Sequence, residues 1–467
     1  MADADGAISK MKDLSPFFRP RSIAVVGAGE RITSSGGAVL RNLGHARYPG
    51  TVIPINPKGG EILGFAAKTS LRELASPAEL VVVVVRPELI LEVVRDAAVS
   101  GHKHLLILPG GFAEAGVEGV AREQALRELA RQAGVTIAGP NCAGLIHRDR
   151  LFPFAATFLR DLPPGGGVAA ISQSGAIAEE IIAAANRGKL AIGTVVSVGN
   201  ALHLGVVDYL EYLGEQTDCH CVLLYIESIA DRERFRAVAR RVTARKPVVA
   251  LLGGRTAAGA AAARNHTGAD ALADADAEAF CRDCGVIRVT SLRWLMLAAK
   301  AFGFYPRGIG RRVLVLSNSG GPGVITADCA SDQGLVLPLL PAALGERLRA
   351  ALPAEAAVAN PIDLLADARE DRFALALAAA LELGAEAFDA VLMIHVVPFM
   401  VDAGPIIAAL AERAKRAELP LLHSMMGTLE AKADWFAAME AAGVPTFDDA
   451  EEMAAAAGLL AQFPALH

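Results

Sequence analysis

The sequence is poor in features that mark several large classes of protein. Its 467 residues include only six cysteines, too few for a disulfide framework, which favours a reducing compartment, the cytoplasm. The net charge of -6 predicts no basic surface for nucleic acid. The longest strongly apolar runs, such as residues 80–85, have the length of strands and are too short to cross a bilayer. The first residues contain no apolar signal segment, so we expect neither a secreted protein nor a membrane partner.

The cysteines do not form a convincing metal or redox motif. Cys281 and Cys284 make an isolated CxxC, and Cys219 and Cys221 make a CxC. A zinc site needs a second ligand pair, and a redox site needs a suitable βαβ context. We therefore predict ordinary, half-buried cysteines and no metal site.

The sequence does contain a repeated order of strand, glycine turn and helix. Short apolar runs such as SIAVVGAG, LVVVVV and HLLILPGG indicate buried parallel strands, and helix-like segments lie between them. This order is typical of doubly wound α/β domains, and the length of the chain suggests about three of them. Proline- and glycine-rich stretches, DLPPGGG at 161–167 and FYPRGIGRR at 304–312, interrupt the series. The predicted domains are residues 14–150, 163–303 and 311–464.

The first domain opens with a glycine turn that suits a nucleotide. In VVGAGERITSSGG, Gly27 and Gly29 follow a strand and precede a helix, although the spacing is not a full GxGxxG. The second strand ends at INPK, so Lys58 stands where a nicotinamide-binding domain usually has an acid. A lysine there favours a ligand with an additional phosphate, either coenzyme A or a 2′-phosphorylated dinucleotide. A solvated surface amine is the alternative.

The second and third domains open alike. VAAISQSGA and VLVLSNSGG both give a strand, an SxSG turn and a helix, which pairs Ser172 and Ser174 with Ser317 and Ser319. Backbone N–H groups and the helix dipole at such a turn bind anions. Plain serine capping of the helix is the alternative.

A single histidine, His266, stands among small residues in AAARNHTGADALADADA. A metal ligand would normally have a second ligand residue at fixed spacing. Small residues and the flanking Gly259 and Gly268 let a backbone move or another group approach closely, so we predict a mobile loop. The residues alone leave open a loop histidine without a chemical role.

Taken together, the motifs resemble the ADP-forming acyl-CoA synthetases, relatives of succinyl-CoA synthetase, and in particular their CoA-binding α part. VVGAG, INPK, GPNCAG, ISQSGA, SVGN, YLEYL, YIES, GGRTAAG, HTG and SNSGGPGV occur in the family's order, over about residues 14 to 464. The resemblance implies an α/β fold, a Rossmann-like CoA-binding domain followed by two flavodoxin-like doubly wound domains.

The resemblance also implies site residues. The family's CoA-binding positions correspond to Gly27, Ala28, Gly29, Lys58, Leu108, Pro109 and Gly110. Its anion-binding helix start corresponds to Ser172, Ser174 and Gly175. Its phosphorylatable histidine corresponds to His266, and the glutamate that holds the imidazole corresponds to Glu227. Glu227 follows a run of apolar strand residues, at the strand end where α/β sites form, and a histidine nucleophile needs such an acceptor to orient it.

The implied function is that of an acid–thiol ligase that converts an acid, CoA and a nucleoside triphosphate to acyl-CoA, diphosphate and phosphate through acyl phosphate and phosphohistidine. The chain shows no GxxxxGK[ST] pattern and no ATP-grasp region. The resemblance therefore implies a hetero-oligomer in which an ATP-grasp β subunit holds ATP or GTP with Mg. The other substrate is a small carboxylic acid.

Departures from the family pattern motivate an alternative. His203 takes an acidic position of the family, Asn265 takes the position of a serine before HTG, and the segment after HTG lacks its usual glycine. A catalytically inactive CoA-binding regulatory or scaffold protein would accommodate these changes. An oxidoreductase using a phosphorylated dinucleotide is a third hypothesis, which the absence of a clear hydride-site histidine or Tyr–Lys pair disfavours.

Overall fold

The computed structural model describes residues 11–31, 33–267, 273–427 and 429–463, with the backbone alone for 265–267. The chain divides into two compact units, Met1–Ala299 and Lys300–His467. Within the described ranges, no helix combines the length and the apolar character needed to cross a membrane.

The first part of the first unit contains a five-stranded parallel sheet in the order β2-β1-β5-β6-β7. Its elements are α1 (Ser15–Phe18), β1 (Ser22–Val26), α2 (Ser35–Ala46), β2 (Thr51–Ile55), β3 (Gly60–Ile62), β4 (Phe65–Ala67), β5 (Leu80–Val83), α3 (Pro87–Val99), β6 (His104–Ile107), α4 (Val117–Ala133) and β7 (Thr136–Ala138), with 3-10 turns at Leu71–Glu73 and Ala113–Ala115. Strand β5 is buried along its whole length, as expected for a central parallel strand. Because β1 lies between β2 and β5, the strand order reverses there, which is where ligands bind in such sheets.

A seven-stranded sheet completes the first unit, in the order β14-β13-β12-β10-β11-β8-β9. Its elements are β8 (Gly144–Arg148), β9 (Pro153–Thr157), β10 (Val168–Ser172), α5 (Gly175–Gly188), β11 (Ile192–Ser197), α6 (Val206–Glu215), β12 (Cys221–Ile226), α7 (Arg232–Thr243), β13 (Val248–Leu252), α8 (Ala257–Thr267), α9 (Asp274–Asp283) and β14 (Ile287–Val289). Helix α10 (Leu292–Phe304) begins in the first unit, and its residues from Lys300 onward belong to the second. The strands are parallel except for β8 and β9, which extend the sheet as an antiparallel hairpin. This hairpin straddles the predicted boundary after residue 150, and the three-domain division stays a prediction.

The second unit contains a six-stranded sheet in the order β16-β17-β15-β18-β19-β20, parallel except for the β16–β17 pair. Its elements are β15 (Val313–Ser317), α11 (Gly320–Asp332), α12 (Ala342–Ala351), β16 (Ala357–Val358), β17 (Ile362–Asp363), α13 (Glu370–Leu383), β18 (Ala390–Val396), α14 (Ala403–Ala414), β19 (Leu421–Met426), α15 (Lys432–Ala441), β20 (Thr446–Phe447) and α16 (Ala450–Gln462), with a 3-10 turn at Gly384–Glu386. Both units thus have the alternating α/β order and the largely parallel sheets that the sequence predicts.

Candidate active site

The glycine turn after β1 is packed directly against the first turn of α2. Gly27 has a φ of +93°, and a β-carbon there would lie 2.9 Å from Cγ1 of Val85. A β-carbon on Gly36 would lie 2.3 Å from the carbonyl oxygen of Gly27, so only glycine allows this contact. No side chain therefore separates the turn from the helix start, and a phosphate could approach both backbones. Gly36 is not among the site residues predicted from sequence, because its role depends on a contact with the turn at Gly27.

Asn56 joins the end of β2 to the glycine turn. Its side-chain nitrogen donates to the carbonyl oxygen of Ala28 at 2.7 Å, and its Oδ1 accepts from the backbone N–H of Lys58 at 2.9 Å. The side chain of Lys58 is exposed at this edge. The predicted CoA residues Gly27, Ala28 and Lys58 are thus brought together, with Asn56 as the connecting residue that the sequence did not single out.

The third predicted CoA-binding segment, Leu108 to Gly110, follows β6 and is tied to the GPNCAG segment. The backbone N–H of Asn141 donates to the carbonyl oxygen of Pro109 at 2.9 Å, and that of Cys142 donates to Leu108 at 3.2 Å. A β-carbon on Gly110 would lie 3.0 Å from Oδ1 of Asn141, so glycine keeps this approach open.

A polar network connects this loop to the SVGN segment after β11. Asn200 donates from its side-chain nitrogen to Glu114 at 2.6 Å and to Glu123 at 2.9 Å, and its Oδ1 accepts from Asn141 at 3.2 Å. Partial burial acts to raise the pKa of Glu114, but hydrogen bonds from Asn200 and nearby backbone N–H groups outweigh it and lower that pKa. The network fixes the first sheet against the second beside the candidate site.

The SxSG turn after β10 has the geometry of a capped helix start. Ser174 Oγ accepts from the backbone N–H of Ile177 at 3.3 Å, which caps α5. The buried hydroxyl of Ser172 accepts from the backbone N–H of Ser174 at 3.2 Å and donates to its carbonyl oxygen at 2.7 Å. Gly175 is the first helical residue, so the three predicted phosphate-binding residues form one turn. Capping and anion binding are compatible in this arrangement because the cap uses the N–H of Ile177, and a helix start has several other N–H groups without an intrahelical acceptor.

Glu227 follows the carboxyl end of β12, next to that turn. Ser172 and Tyr225 are register partners on β10 and β12. The Tyr225 hydroxyl donates to Glu227 Oε1 at 3.3 Å, and burial together with the charge of Glu227 raises the pKa of Tyr225 to about 12. Tyr225 therefore stays protonated and orients the carboxylate.

Glu227, Gln173 and the polar network around Asn200 line a cleft of about 810 Å³. Its polar lining includes Glu114, Asn141, Gln173, Asn200, Glu227 and Arg264. Arg264 lies on α8 two positions before His266, so the helix that carries the histidine reaches this cleft. The side chain of His266 lies outside the described residues.

The segment before His266 is helical, whereas the sequence analysis predicted a loop. Helix α8 spans Ala257–Thr267, so the loop prediction is wrong for these residues. The reason lies in the alanine content, because alanine has the highest intrinsic helix propensity.

His203, which departs from the expected pattern, is held at the first sheet. Its Nδ1 accepts from the backbone N–H of Ile137, within β7, at 3.1 Å. Burial lowers the pKa of His203, assisted by the charges of Arg127 and Lys12, so the imidazole is neutral. At this position the histidine serves the contact between the two sheets of the first unit.

Three family models match consecutive parts of the chain. They are the CoA binding domain at residues 21–148, the succinyl-CoA ligase-like flavodoxin domain at 165–302 and the ligase-CoA domain at 313–461.

Relatives match the chain along most of its length. The α subunit of ADP-forming acetate–CoA ligase II from Pyrococcus furiosus is 36% identical over 456 residues, covering 96% of this chain and 97% of the relative. ADP-forming acetate–CoA ligase I from Archaeoglobus fulgidus is 35% identical over 361 residues, covering 77% of this chain and 52% of the relative. The chain thus spans nearly all of the first relative and about half the length of the second. A solved structure of acetyl-coenzyme A synthetase 1 from Candidatus Korarchaeum cryptofilum, in complex with phosphate and ADP, has a TM-score of 0.91, with 29% identity and 97% of each chain covered.

Fold and site together define an α/β ligase chain with a CoA-binding domain and a flavodoxin-like domain. The chain belongs to the family of ADP-forming acyl-CoA synthetases, the relatives of succinyl-CoA ligase. The family resemblance and the fold class predicted from sequence are confirmed. The roles of individual site residues stay predictions.

Proposed function

We propose that this chain is the CoA-binding subunit of an ADP-forming acid–CoA ligase. It takes part in the conversion of a small carboxylic acid, CoA and a nucleoside triphosphate to acyl-CoA, nucleoside diphosphate and phosphate. The observation that carries the proposal is the common cleft, where Glu227, the Gln173 side chain between Ser172 and Ser174, and the helix of His266 meet. The ligase names of the relatives favour an active enzyme over an inactive CoA-binding scaffold.

The first sheet fits coenzyme A. The glycine turn and the start of α2 form a close backbone cradle for phosphate groups, and the exposed Lys58 amine supplies positive charge at the neighbouring loop. When bound, coenzyme A would supply the thiol that receives the acyl group from the acyl phosphate, with phosphate as the leaving group. Within the chain, Gly27, Ala28, Gly29, Lys58 and the Leu108–Pro109–Gly110 segment bind and orient it in this proposal.

His266 carries the phosphoryl group between two steps. Its imidazole nitrogen takes the γ-phosphoryl group of the triphosphate, which leaves as diphosphate. Phospho-His266 then passes the group to an oxygen of the acid, giving an acyl phosphate and free imidazole. Glu227 accepts a hydrogen bond from the other ring nitrogen, and the N–H groups at the start of α5, beginning at Gly175, hold the phosphate oxygens. Ser172 and Ser174 shape the turn that presents them.

The nucleotide belongs to a second chain in this proposal. An ATP-grasp β subunit would hold ATP or GTP with Mg, and the two chains would form a hetero-oligomer in the cytoplasm. The name of the Pyrococcus relative, an α subunit of nearly the same length, supports this division.

The test compares phosphate labelling of the wild-type chain and His266→Ala after mixing with an ATP-grasp partner and ATP. We expect an acid-labile phosphate at His266 by mass spectrometry, lost in the variant while CoA affinity is unchanged. We expect acid- and CoA-dependent ADP release only with the partner. Undiminished labelling of the variant, or robust ADP release by the chain alone, contradicts the proposal.

A further inference from the structure

A histidine and two aspartates converge at the edge of the second sheet opposite to the candidate active site. His147 lies near the end of β8, Asp149 follows that strand, and Asp218 lies in the connection from α6 to β12. His147 is the register partner of Thr194, near the start of β11, whereas Glu227 follows the carboxyl end of β12. The cluster is therefore separate from the proposed reaction.

The three side chains are placed like metal ligands. His147 Nε2 lies 3.8 Å from Oδ2 of Asp149 and 3.9 Å from Oδ2 of Asp218. One ligand atom from each residue lies within 4.8 Å of the other two. With bonds of about 2.1 Å, tetrahedral zinc ligands are about 3.4 Å apart, so each of the two histidine–aspartate distances would shorten by roughly half an ångström around the ion.

His147 is the feature that points to a ligand. Its side chain is only 7% exposed, and Nε2 is buried without a hydrogen-bond partner among the described residues. Its Nδ1 lies 2.9 Å from the hydroxyl oxygen of Thr194. When Nδ1 carries the proton, the Nε2 lone pair faces two carboxylates, which only accept hydrogen bonds when ionised. Such buried orphan groups are rare, and a cation held between the three ligand atoms would give Nε2 a partner.

Arg19 neutralises the two carboxylates in this structure. Its guanidinium contacts Oδ2 of Asp149 at 2.9 Å and Oδ2 of Asp218 at 3.1 Å. The side chain is 41% exposed, so it can move to solvent and leave the position between the aspartates. Arg19 is thus a competitor of any metal at this site, and its removal should favour binding.

We propose that His147, Asp149 and Asp218 bind one zinc ion, with Thr194 as the group that orients the imidazole. An imidazole nitrogen and two carboxylate oxygens are zinc ligands, and three protein ligands leave a fourth position for water. A cleft of about 350 Å³, lined in part by the same three residues, gives access. The ion would join the β8–β9 hairpin to the α6–β12 connection. This inference does not depend on the proposed function.

The test measures zinc in the chelator-treated full chain by equilibrium dialysis and elemental analysis. We expect one tightly bound zinc per chain, and at least tenfold weaker binding in His147→Gln and Asp149→Asn. Arg19→Gln retains all three ligands and should bind zinc severalfold more tightly. Thr194→Val should weaken binding without removing a ligand. His45→Gln, which changes an exposed histidine on α2, is the matched control and should bind like the wild type.

Zinc affinity that is the same in His147→Gln and the wild type overturns the inference, as does Arg19→Gln binding no more tightly than the wild type. Because Arg19→Gln keeps every ligand, the inference remains testable even if a ligand variant fails to fold. Zinc should also raise the thermal midpoint of the wild type and of Arg19→Gln, but not that of a folded Asp149→Asn chain. Phosphate labelling plays no part in these measurements, so failure here is distinct from failure of the ligase proposal.

Discussion

The side-chain amide of Gln173 holds the backbone of Glu227. Its Oε1 accepts from the backbone N–H of Glu227 at 2.6 Å and from that of Ser228 at 3.0 Å. Its Nε2 donates to the carbonyl oxygen of Ser228 at 3.0 Å. Because Gln173 immediately precedes Ser174, the start of α5 and the turn after β12 are fixed to each other. A phosphate bound at the start of α5 and an imidazole hydrogen-bonded to Glu227 would then stay at a constant distance from each other.

Gln173→Met should therefore uncouple the two parts of the proposed site. Methionine has a similar length but makes none of the three hydrogen bonds. We expect phosphate labelling of His266 to slow by about tenfold to a hundredfold, since a lost hydrogen bond with unsatisfied partners is worth roughly 1–3 kcal/mol. The affinity for CoA, measured by titration calorimetry, should not change because the ligand-binding turn belongs to the first sheet.

Gln132→Met is the matched control for this change. Gln132 lies exposed on α4, and its side chain donates a hydrogen bond to the neighbouring Glu128 on the same helix, far along the chain from the proposed site. Its loss should therefore leave labelling intact. A wild-type labelling rate for a folded Gln173→Met chain would show that the coupling has no role in phosphoryl transfer.

Glu227→Gln tests the carboxylate itself. The amide keeps the shape of the side chain and can still accept from the Tyr225 hydroxyl, but it removes the charge that would hold a histidine ring. A hydrogen bond to a charged group is worth roughly 1.5–3 kcal/mol, which predicts labelling slowed by about tenfold to a hundredfold with little loss of stability. Labelling time courses by mass spectrometry give the rates. Glu233→Gln, at an exposed position on α7, should behave as the wild type, and equal rates for both variants would rule out the role of Glu227.

Lys58→Glu should weaken coenzyme A far more than dephospho-CoA. The loop should survive the change because Asn56 binds the backbone of residue 58, not its side chain. Loss of a charge-assisted contact with the 3′-phosphate predicts a loss of about tenfold to a hundredfold for coenzyme A. Titration calorimetry of both ligands decides it, with Lys189→Glu on an exposed residue after α5 as control. An equal loss of affinity for the two ligands would mean that Lys58 does not contact the 3′-phosphate.

The features that the sequence predicts correctly depend on residues that are close together in the chain. Strand β5 is a run of buried valines and leucine, and Ser174 caps α5, so both follow from residues adjacent in the chain. Three connecting residues could not be predicted from local sequence because their partners are distant in the chain. The separation is 9 positions for Gly36, 28 for Asn56, and 54 and 55 for Gln173. Their roles arise only when the sheet brings strand ends together.

The similarity between the two SxSG turns could be predicted from the sequence in part. Ser317 binds the backbone of Ser319 as Ser172 binds Ser174. The residue inside each turn also makes similar contacts. Asn318 exchanges two hydrogen bonds with the backbone of Val396, at 2.7 and 2.9 Å, and Gln173 likewise bonds the backbone of Glu227 and Ser228 in the turn after β12. In both turns a residue with a side-chain amide, Gln173 or Asn318, stands between the two serines. This shared feature of the sequence could have indicated the equivalent contacts.

Two buried histidines in the second unit make its stability depend on pH. His395 on β18 and His423 on β19 are fully buried, with ring centroids 6.2 Å apart, and neither ring has a hydrogen-bond partner among the described residues. Burial lowers the pKa of His395 to about 4, and burial together with the neighbouring His395 lowers the pKa of His423 to about 3. In the unfolded chain a histidine has a pKa near 6.5. At pH values between the folded pKa and about 6.5, the unfolded chain therefore binds more protons than the folded chain.

The free energy of unfolding of the second unit should therefore be highest above pH 6.5 and fall as the pH drops toward 4. The expected loss between pH 8 and pH 5 is on the order of 2 kcal/mol for each histidine. The double variant His395→Phe and His423→Leu should lose much of this dependence, because nothing in those positions takes up a proton. Urea unfolding followed by Trp435 fluorescence in a Trp294→Phe background reports on the second unit alone, since the chain has only these two tryptophans. His45→Gln, at an exposed histidine, should leave the pH profile unchanged. A double variant as sensitive to pH as the wild type would show that other groups control the acid response.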